Sequence, residues 1–154
     1  MNLLKSVFRL SWPDRCLYLE TVLGLAGVRL MTLVLPFRVV NRLIGIRHCG
    51  DVAPVVSREL DRARGVGRAI RAAARHLPWR SSCLVQAITG KAMLARRGIP
   101  ALVFIGVGKG EAESFRAHAW LKCGDLLVTG GKEYQAFTAI SSFNRVVEKR
   151  TPPD

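Results

Sequence analysis

One segment of the chain carries a helix-start signal at one end and helix-stop signals at the other, and short apolar runs follow it directly. In WRSSCLVQAITGKAMLARRGIP, Ser81 or Ser82 can cap a helix, while Gly98 and Pro100 stop it. The run ALVFIGVG then predicts a buried strand, and FRAHAWLKC and LLVTGG around a Gly-Asp pair predict a hairpin. YQAFTAISSF is compatible with a further strand or a helix. A helix that meets a small antiparallel sheet is therefore the expected core.

Two helical regions precede this core. Ser57 to Leu77 shows apolar residues at helical spacing, with Ser57 as its expected cap and an outer row of arginines (Arg58, Arg62, Arg64, Arg68, Arg71 and Arg75). Cys16 to Pro36 is strongly apolar but is interrupted by Glu20 and Arg29. The interruptions favour a buried helix or helix pair over a membrane span. Peripheral contact with a membrane is the alternative, because basic residues flank the apolar part.

The order of elements predicts an α+β fold in which a central helix packs on a small antiparallel sheet. An N-terminal helical region comes before it. The expected organisation is an apolar helical region over residues 1–56 and an α+β domain over residues 57–154.

The chain is strongly basic, with 24 Lys and Arg against 11 Asp and Glu among its 154 residues, a net charge of +13. Such an excess suggests an acidic partner, which could be a nucleic acid, an anionic lipid or an acidic peptide. The net charge alone does not show which of these three kinds of partner binds. The arginine row of the Ser57–Leu77 helix is usually a solvated face, and a docking surface is the less common alternative.

The four cysteines, Cys16, Cys49, Cys83 and Cys123, form no CxxC pair and show no zinc spacing, so no metal site is expected. The start at Met1 lacks the pattern of a secretory signal. We therefore expect a cytoplasmic protein with free thiols.

Cys83 and His118 are the candidate catalytic residues. Cys83 lies in the first turn of the helix on which the sheet must pack, where free N–H groups and the helix dipole favour a thiolate and an oxyanion. His118 lies in the middle of a predicted strand. The alternative is a buried apolar Cys83 and a hydrogen-bonded core histidine. The helix-start position, the order of the two residues and the hairpin context together favour catalysis.

The motifs SCLVQAITGKAMLARRGIPALVFIGV and AHAWLKCGDLLVTGG resemble the stand-alone leader peptidases, or B proteins, of lasso peptide biosynthesis. The resemblance covers roughly residues 75 to 135 and extends to VLPFRVVNRLIG. Its specific part is the combination of CL at a helix start, RRGIPA at the helix end and AHAW.

This resemblance implies that residues 57–154 form a transglutaminase-like cysteine protease domain with a papain/transglutaminase-like core. Such an enzyme removes the leader from a ribosomally made precursor peptide. Cys83 would be the nucleophile and His118 the general base, with no cofactor. The implied partners are the precursor, a small leader-recognition protein and an ATP-dependent cyclase that uses the freed amine; no nucleic acid is implied. Relatives often carry an Asp about twelve residues after the His, a position that Gly130 occupies here.

The group that orients His118 is therefore left open. Asp125 belongs to the predicted turn and lies too far away along the strand. If the hairpin turns at Gly124-Asp125, the residue facing His118 is near Gly131. Thr129, a backbone carbonyl, Glu113 or Glu133 remain as candidates.

Two other functions use the same sequence features. The first is a non-enzymatic basic module that binds an acidic partner or a membrane through the arginine row and the apolar N-terminal part. The second is acyl transfer instead of hydrolysis, with the same catalytic pair and a different acceptor.

Overall fold

The computed structural model describes residues 11–36, 39, 54–109 and 115–143. Within them lie three helices, four strands and one 3₁₀ helix: α1 (Trp12–Val34), α2 (Ser57–His76), α3 (Cys83–Ala95), β1 (Leu102–Lys109), β2 (Phe115–Cys123), β3 (Leu126–Thr129), the 3₁₀ helix Lys132–Ala136 and β4 (Thr138–Phe143). The strands form one antiparallel sheet in the order β3-β2-β1-β4. The predicted α+β fold is confirmed.

The ends of α3 follow the predicted signals. Ser82 is the N-cap, and its side chain accepts a hydrogen bond from the Val85 N–H at 3.3 Å. After the last turn, Gly98 has a φ of 68°, the left-handed conformation that glycine adopts without strain. The Ile99 N–H then bonds to the Leu94 carbonyl at 3.0 Å, which closes the helix end and leads the chain directly into β1.

Helix α2 begins where it was predicted, but the predicted cap is wrong. Val56 is the N-cap residue and Ser57 is already helical. The Val56 N–H donates to Glu59 Oε2 at 3.1 Å, so a first-turn carboxylate, rather than a serine hydroxyl, satisfies a backbone donor at this end.

The main core lies between the helices and one face of the sheet. It combines α2 and α3 residues with alternate residues of β2 and parts of β1 and β3: Ala63, Val66, Ile70, Ala87, Met93, Leu94, Ile99, Ala101, Val103, Ala119, Leu121, Cys123 and Val128. Burying so many aliphatic side chains is the main favourable term of folding. The position of α3 over β2 follows from this packing.

Helix α1 is a single helix from Trp12 to Val34, whereas the sequence favoured a largely buried helix or helix pair. Only Thr21 and Leu25 of α1 are buried. Leu25 packs with Ala73 of α2 and Val85 of α3 in a second, smaller cluster. By length and composition alone, α1 could also cross a membrane.

An ion pair joins α1 to the turn after α3. The Arg97 guanidinium donates through Nη1 to Glu20 Oε1 at 3.0 Å and through Nη2 to Glu20 Oε2 at 2.5 Å. This bidentate hydrogen bond is the main reason that the pKa of Glu20 is lowered, with the charges of Arg97 and Arg96 acting in the same direction and burial opposing them. The pair fixes α1 against the end of α3.

Two glycines of α2 give a matched test of the helix–sheet packing. A Cβ at Gly67 would lie 2.6 Å from the Val128 carbonyl oxygen of β3, whereas a Cβ at Gly65 would meet nothing within 4 Å. We expect Gly67→Ala to destabilise the protein by about 2 kcal/mol because the helix must move off the strand. Gly65→Ala should stabilise it by up to about 1 kcal/mol. Urea unfolding measures both, and equal effects would contradict this packing.

The pair between Glu20 and Arg97 predicts a pH dependence of stability. A carboxyl whose pKa is lowered by folding stabilises the protein above its unfolded pKa, close to 4.5, and this contribution is lost as the pH falls through the folded pKa. Glu20→Gln should therefore cost about 1–2 kcal/mol at pH 7 and progressively less below pH 4.5. Urea unfolding at several pH values tests this, with exposed Glu133→Gln as the control. A cost of Glu20→Gln that does not change with pH would contradict it.

Candidate active site

Cys83 occupies the first position of α3 and is partly buried against the main core. The N–H groups of Cys83 and Leu84 belong to the first turn, where the helix itself offers no acceptor. The Gln86 side chain donates to the Ser81 carbonyl at 3.0 Å, which holds the chain leading into the helix. The sulfur therefore lies beside unpaired backbone donors and the positive end of the helix dipole.

The other described cysteines are in different surroundings. Cys16 is exposed on α1, and Cys123 is buried at the end of β2. Burial raises the pKa of the Cys123 thiol, and the charge of Glu59 raises it further, so this thiol is kept protonated. Cys49 lies outside the described residues.

His118 lies in β2 and is held on three sides. Its Nε2 is 2.7 Å from the carbonyl oxygen of Gly130. The ring stacks on Phe137, with 5.0 Å between centroids, and on Trp120, with 6.2 Å. A carbonyl oxygen only accepts hydrogen bonds, so in the neutral ring Nε2 carries the proton and Nδ1 has the free lone pair. Among the described residues, a backbone carbonyl and two aromatic rings thus orient the imidazole as a base.

The position twelve residues after His118 supplies a backbone carbonyl here. The sequence predicted that a residue near Gly131 faces His118, and the carbonyl that bonds to the ring belongs to its neighbour Gly130. The pairing of β2 with β3 ends at Leu121 with Thr129, so Gly130 directly follows the last paired residue of β3. Glu113 lies outside the described residues.

The other candidates for the orienting role are placed elsewhere. Asp125 lies in the exposed turn between β2 and β3, and Glu133 is exposed on the 3₁₀ helix. The Thr129 hydroxyl is buried and has no hydrogen-bond partner, although it lies next to Gly130. The Gly130 carbonyl is the one candidate that bonds to the ring among the described residues.

Cys83 and His118 lie at the same level along the sheet. A Cβ on Gly90 of α3 would be 2.7 Å from Leu121 Cδ2 of β2, which fixes one crossing point. From there, seven residues of helix back to Cys83 span about 10 Å at 1.5 Å per residue. Three residues of strand back to His118 span about the same distance at 3.4 Å per residue. The start of α3 is therefore near the His118 end of β2.

The two side chains are not joined directly. Ala119 and Leu121 belong to the core under α3, so the alternation along β2 places His118 with Trp120 on the other face. No described hydrogen bond connects Cys83 to His118. The last described pair of β3 is Leu121 with Thr129, so within the described residues β2 has an open edge on this side, with no strand paired to it, beside His118. Contact between the thiol and the imidazole requires the two side chains to move around this edge.

An aromatic layer on the His118 face was not predicted. Trp120 is buried and stacks on Phe104 of β1, with 5.8 Å between the ring centroids. Its ring centroid lies 5.7 Å from that of Tyr134. The signal in the sequence was the alternation in VFIGVG, because Gly106 lies opposite His118 in the β1–β2 register. A Cβ on Gly106 would be 2.8 Å from the Trp120 ring. Because Gly106 has no side chain, the indole of Trp120 fits against β1.

Gly130 and Gly131 provide a test of the His118 support. Both have positive φ, 110° and 63°, but a Cβ on Gly130 would collide with Trp120, while one on Gly131 would meet nothing within 4 Å. We expect Gly130→Ala to cost about 3 kcal/mol, because strain and collision add. Gly131→Ala should cost about 2 kcal/mol from strain alone, because its φ of 63° with a ψ of 178° is a conformation that essentially only glycine adopts. Urea unfolding measures both, and a Gly130→Ala protein as stable as Gly131→Ala would contradict the close contact.

Comparison with known families gives one result. A family model described as the transglutaminase-like superfamily (Transglut_core3) matches residues 28–142. Searches among curated proteins and among solved structures found no match. The family match spans about three quarters of the chain, from the second half of α1 to β4, and includes Cys83 and His118. The superfamily includes cysteine peptidases and transglutaminases, which fits a cysteine-protease type of activity in general. The chain belongs to the transglutaminase-like superfamily.

Proposed function

We propose that this protein is a cysteine peptidase that removes the leader from the precursor of a lasso peptide. One observation carries the proposal: within a transglutaminase-like domain, a cysteine starts the helix that packs on the sheet, and a histidine of that sheet has one nitrogen bonded to a carbonyl. The sequence resemblance to lasso leader peptidases supplies the substrate class.

In the proposed reaction, the scissile amide of the precursor binds at the open edge of β2, between the start of α3 and His118. Nδ1 of His118 takes the proton of the Cys83 thiol as the two side chains approach. The thiolate attacks the carbonyl carbon, and the N–H groups of the first turn of α3 stabilise the oxyanion.

Two further steps complete the cycle. His118 returns the proton to the leaving nitrogen, so the C–N bond breaks and the core peptide departs with a free amine, leaving the leader as a thioester on Cys83. Water then attacks the thioester with His118 as base. This step releases the leader as a carboxylate and regenerates the thiol. The Gly130 carbonyl stabilises the imidazolium that forms in both steps.

The segment that leads into α3 contains unpaired buried donors. Trp79 Nε1 and Ser81 Oγ are buried and have no hydrogen-bond partner. Such groups cost free energy in a folded protein and are concentrated at functional sites. Arg29 of α1 stabilises this segment, because its Nη1 donates to the Arg80 carbonyl at 3.0 Å and its guanidinium lies 6.0 Å from the Trp79 ring centre. The segment before Cys83 is thus held in place by α1.

The resemblance also suggests the surroundings of the reaction. A small leader-recognition protein delivers the precursor, which raises its effective concentration at the site. An ATP-dependent cyclase uses the freed amine, and the steps take place in the cytoplasm. These partners follow from the family that the sequence resembles.

A non-enzymatic basic module is the competing function, and its arginine row is partly occupied. Arg71 donates to the Val128 carbonyl at 3.0 Å, and Arg64 pairs with Asp61 at 2.7 Å. Two of the six arginines therefore serve the fold or a neighbouring carboxylate. The match to an enzyme superfamily also favours catalysis over binding alone.

The test is cleavage of the precursor by purified protein with the leader-recognition protein present, followed by mass spectrometry. Cys83→Ala and His118→Ala should each lower the rate at least about 1,000-fold, because nucleophile and base act as a unit. Cys16→Ser, which changes an exposed thiol of α1, should cleave at the unmodified rate.

The products distinguish the competing functions. A leader released as a free acid indicates hydrolysis, and a leader joined to an added amine indicates acyl transfer. Full cleavage by Cys83→Ala would rule out the proposed nucleophile. Binding of nucleic acid that falls steeply with salt, without any cleavage, would favour the basic module.

A further inference from the structure

The outer side of α1 carries an unbroken apolar stripe. Its members recur every three or four residues: Trp12, Cys16, Leu19, Leu23, Gly27, Leu30 and Val34. All of them are exposed, with Leu19 at 60% and Leu23 at 64%. At 3.6 residues per turn the stripe stays within roughly 80° of arc over the helix length of about 34 Å. None of its members is charged, so this surface lacks the charged side chains that a solvated helix face normally carries.

The opposite side of α1 is fixed to the protein. Leu25 is fully buried and packs with Ala73 and Val85. Glu20 is paired with Arg97, and Arg29 is bonded to the Arg80 carbonyl. To cross a bilayer, the helix would have to leave this core and break both polar links. It is therefore placed to lie along a surface with its stripe outward.

The charge that flanks the stripe is mainly basic, although the first turn of α1 also carries the exposed Asp14. Arg96 lies beside the stripe, 73% exposed and 3.3 Å from Glu20, whose own charge is already paired with Arg97. In the sequence, positions 1–11 contain Lys5 and Arg9 and no acid, and positions 35–50 contain Arg38, Arg42 and Arg47 and no acid. The net charge of +13 has the same sign.

We propose that the protein binds the surface of an anionic lipid bilayer through the apolar stripe of α1, with the helix lying in the interface. An apolar helix face bordered by arginine matches the two parts of such a surface, acyl chains and anionic headgroups. Trp12 at the start of the stripe is a residue type that prefers the membrane–water interface. This inference is independent of the peptidase proposal.

A second copy of the chain is the main competing occupant, since the spacing of the stripe also suits a helix pair. Helix pairs are usually specified by complementary charges beside the apolar seam. Here the exposed charge at the rim is Arg96, because Glu20 is paired within its own chain. Two copies would bring like charges together, and lipid phosphates would not.

The test is co-sedimentation of the full chain with vesicles of phosphatidylglycerol and of phosphatidylcholine. We expect binding to the anionic vesicles that weakens with salt, and much weaker binding to the zwitterionic ones. Leu19→Ser combined with Leu23→Ser should reduce partitioning at least about tenfold. Arg96→Gln should reduce binding to anionic vesicles about fivefold.

The control variant is Val56→Ser, which removes an equally exposed apolar side chain from the N-cap of α2, where serine is well tolerated. It should bind as the unmodified protein does. Circular dichroism melting confirms that each variant is folded, and Leu19→Ser alone replaces the double variant if that one unfolds.

Each other outcome overturns the proposal. Analytical ultracentrifugation could show a dimer that the double variant dissociates, while vesicle binding is absent; the stripe would then be an interface between copies. A folded monomer that does not bind anionic vesicles would exclude a lipid surface as the partner of the stripe. Binding that persists in the double variant would show that α1 is not the contact.

Discussion

The close packing of α3 on β2 is the contact on which the rest of the structure depends. Gly90 allows the helix to approach Leu121, and a side chain there would also press on Ile70 of α2. This crossing point sets the level of the helix along the strand. As a result, the start of α3 with Cys83 and the His118 end of β2 share one end of the sheet. The two side chains face opposite sides of the sheet, so the catalytic proposal also requires Cys83 and His118 to meet around the edge of β2.

His118 shows how a backbone group can take a side-chain role. Twelve residues after the histidine, the carbonyl of Gly130 bonds to the ring. An uncharged acceptor stabilises an imidazolium less than a carboxylate does, but it fixes the same tautomer. Stacking of the imidazole on the rings of Phe137 and Trp120 supplies the remaining support. Orientation is thus achieved by packing and one hydrogen bond.

Helix α1 lies between the proposed lipid-contact surface and the candidate active site. Its inner side carries Arg29, which holds the segment before Cys83 through the Arg80 carbonyl and the Trp79 ring. Its outer side carries the apolar stripe proposed to contact lipid. The family match begins at residue 28 and so crosses position 56, where composition predicts a domain boundary. One helix therefore belongs both to the supporting structure of the site and to the proposed contact surface.

Local signals in the sequence were sufficient for the elements of the core: serine and glycine at the ends of α3, alternation along β2 and the Gly-Asp turn are short-range effects that operate within a few residues. They also singled out Cys83 and His118. Tertiary structure decided the rest. The exposed side of α1 and the Gly130 carbonyl on His118 both depend on which elements pack together. Such choices are made by contacts between residues far apart in the chain, which local patterns do not encode.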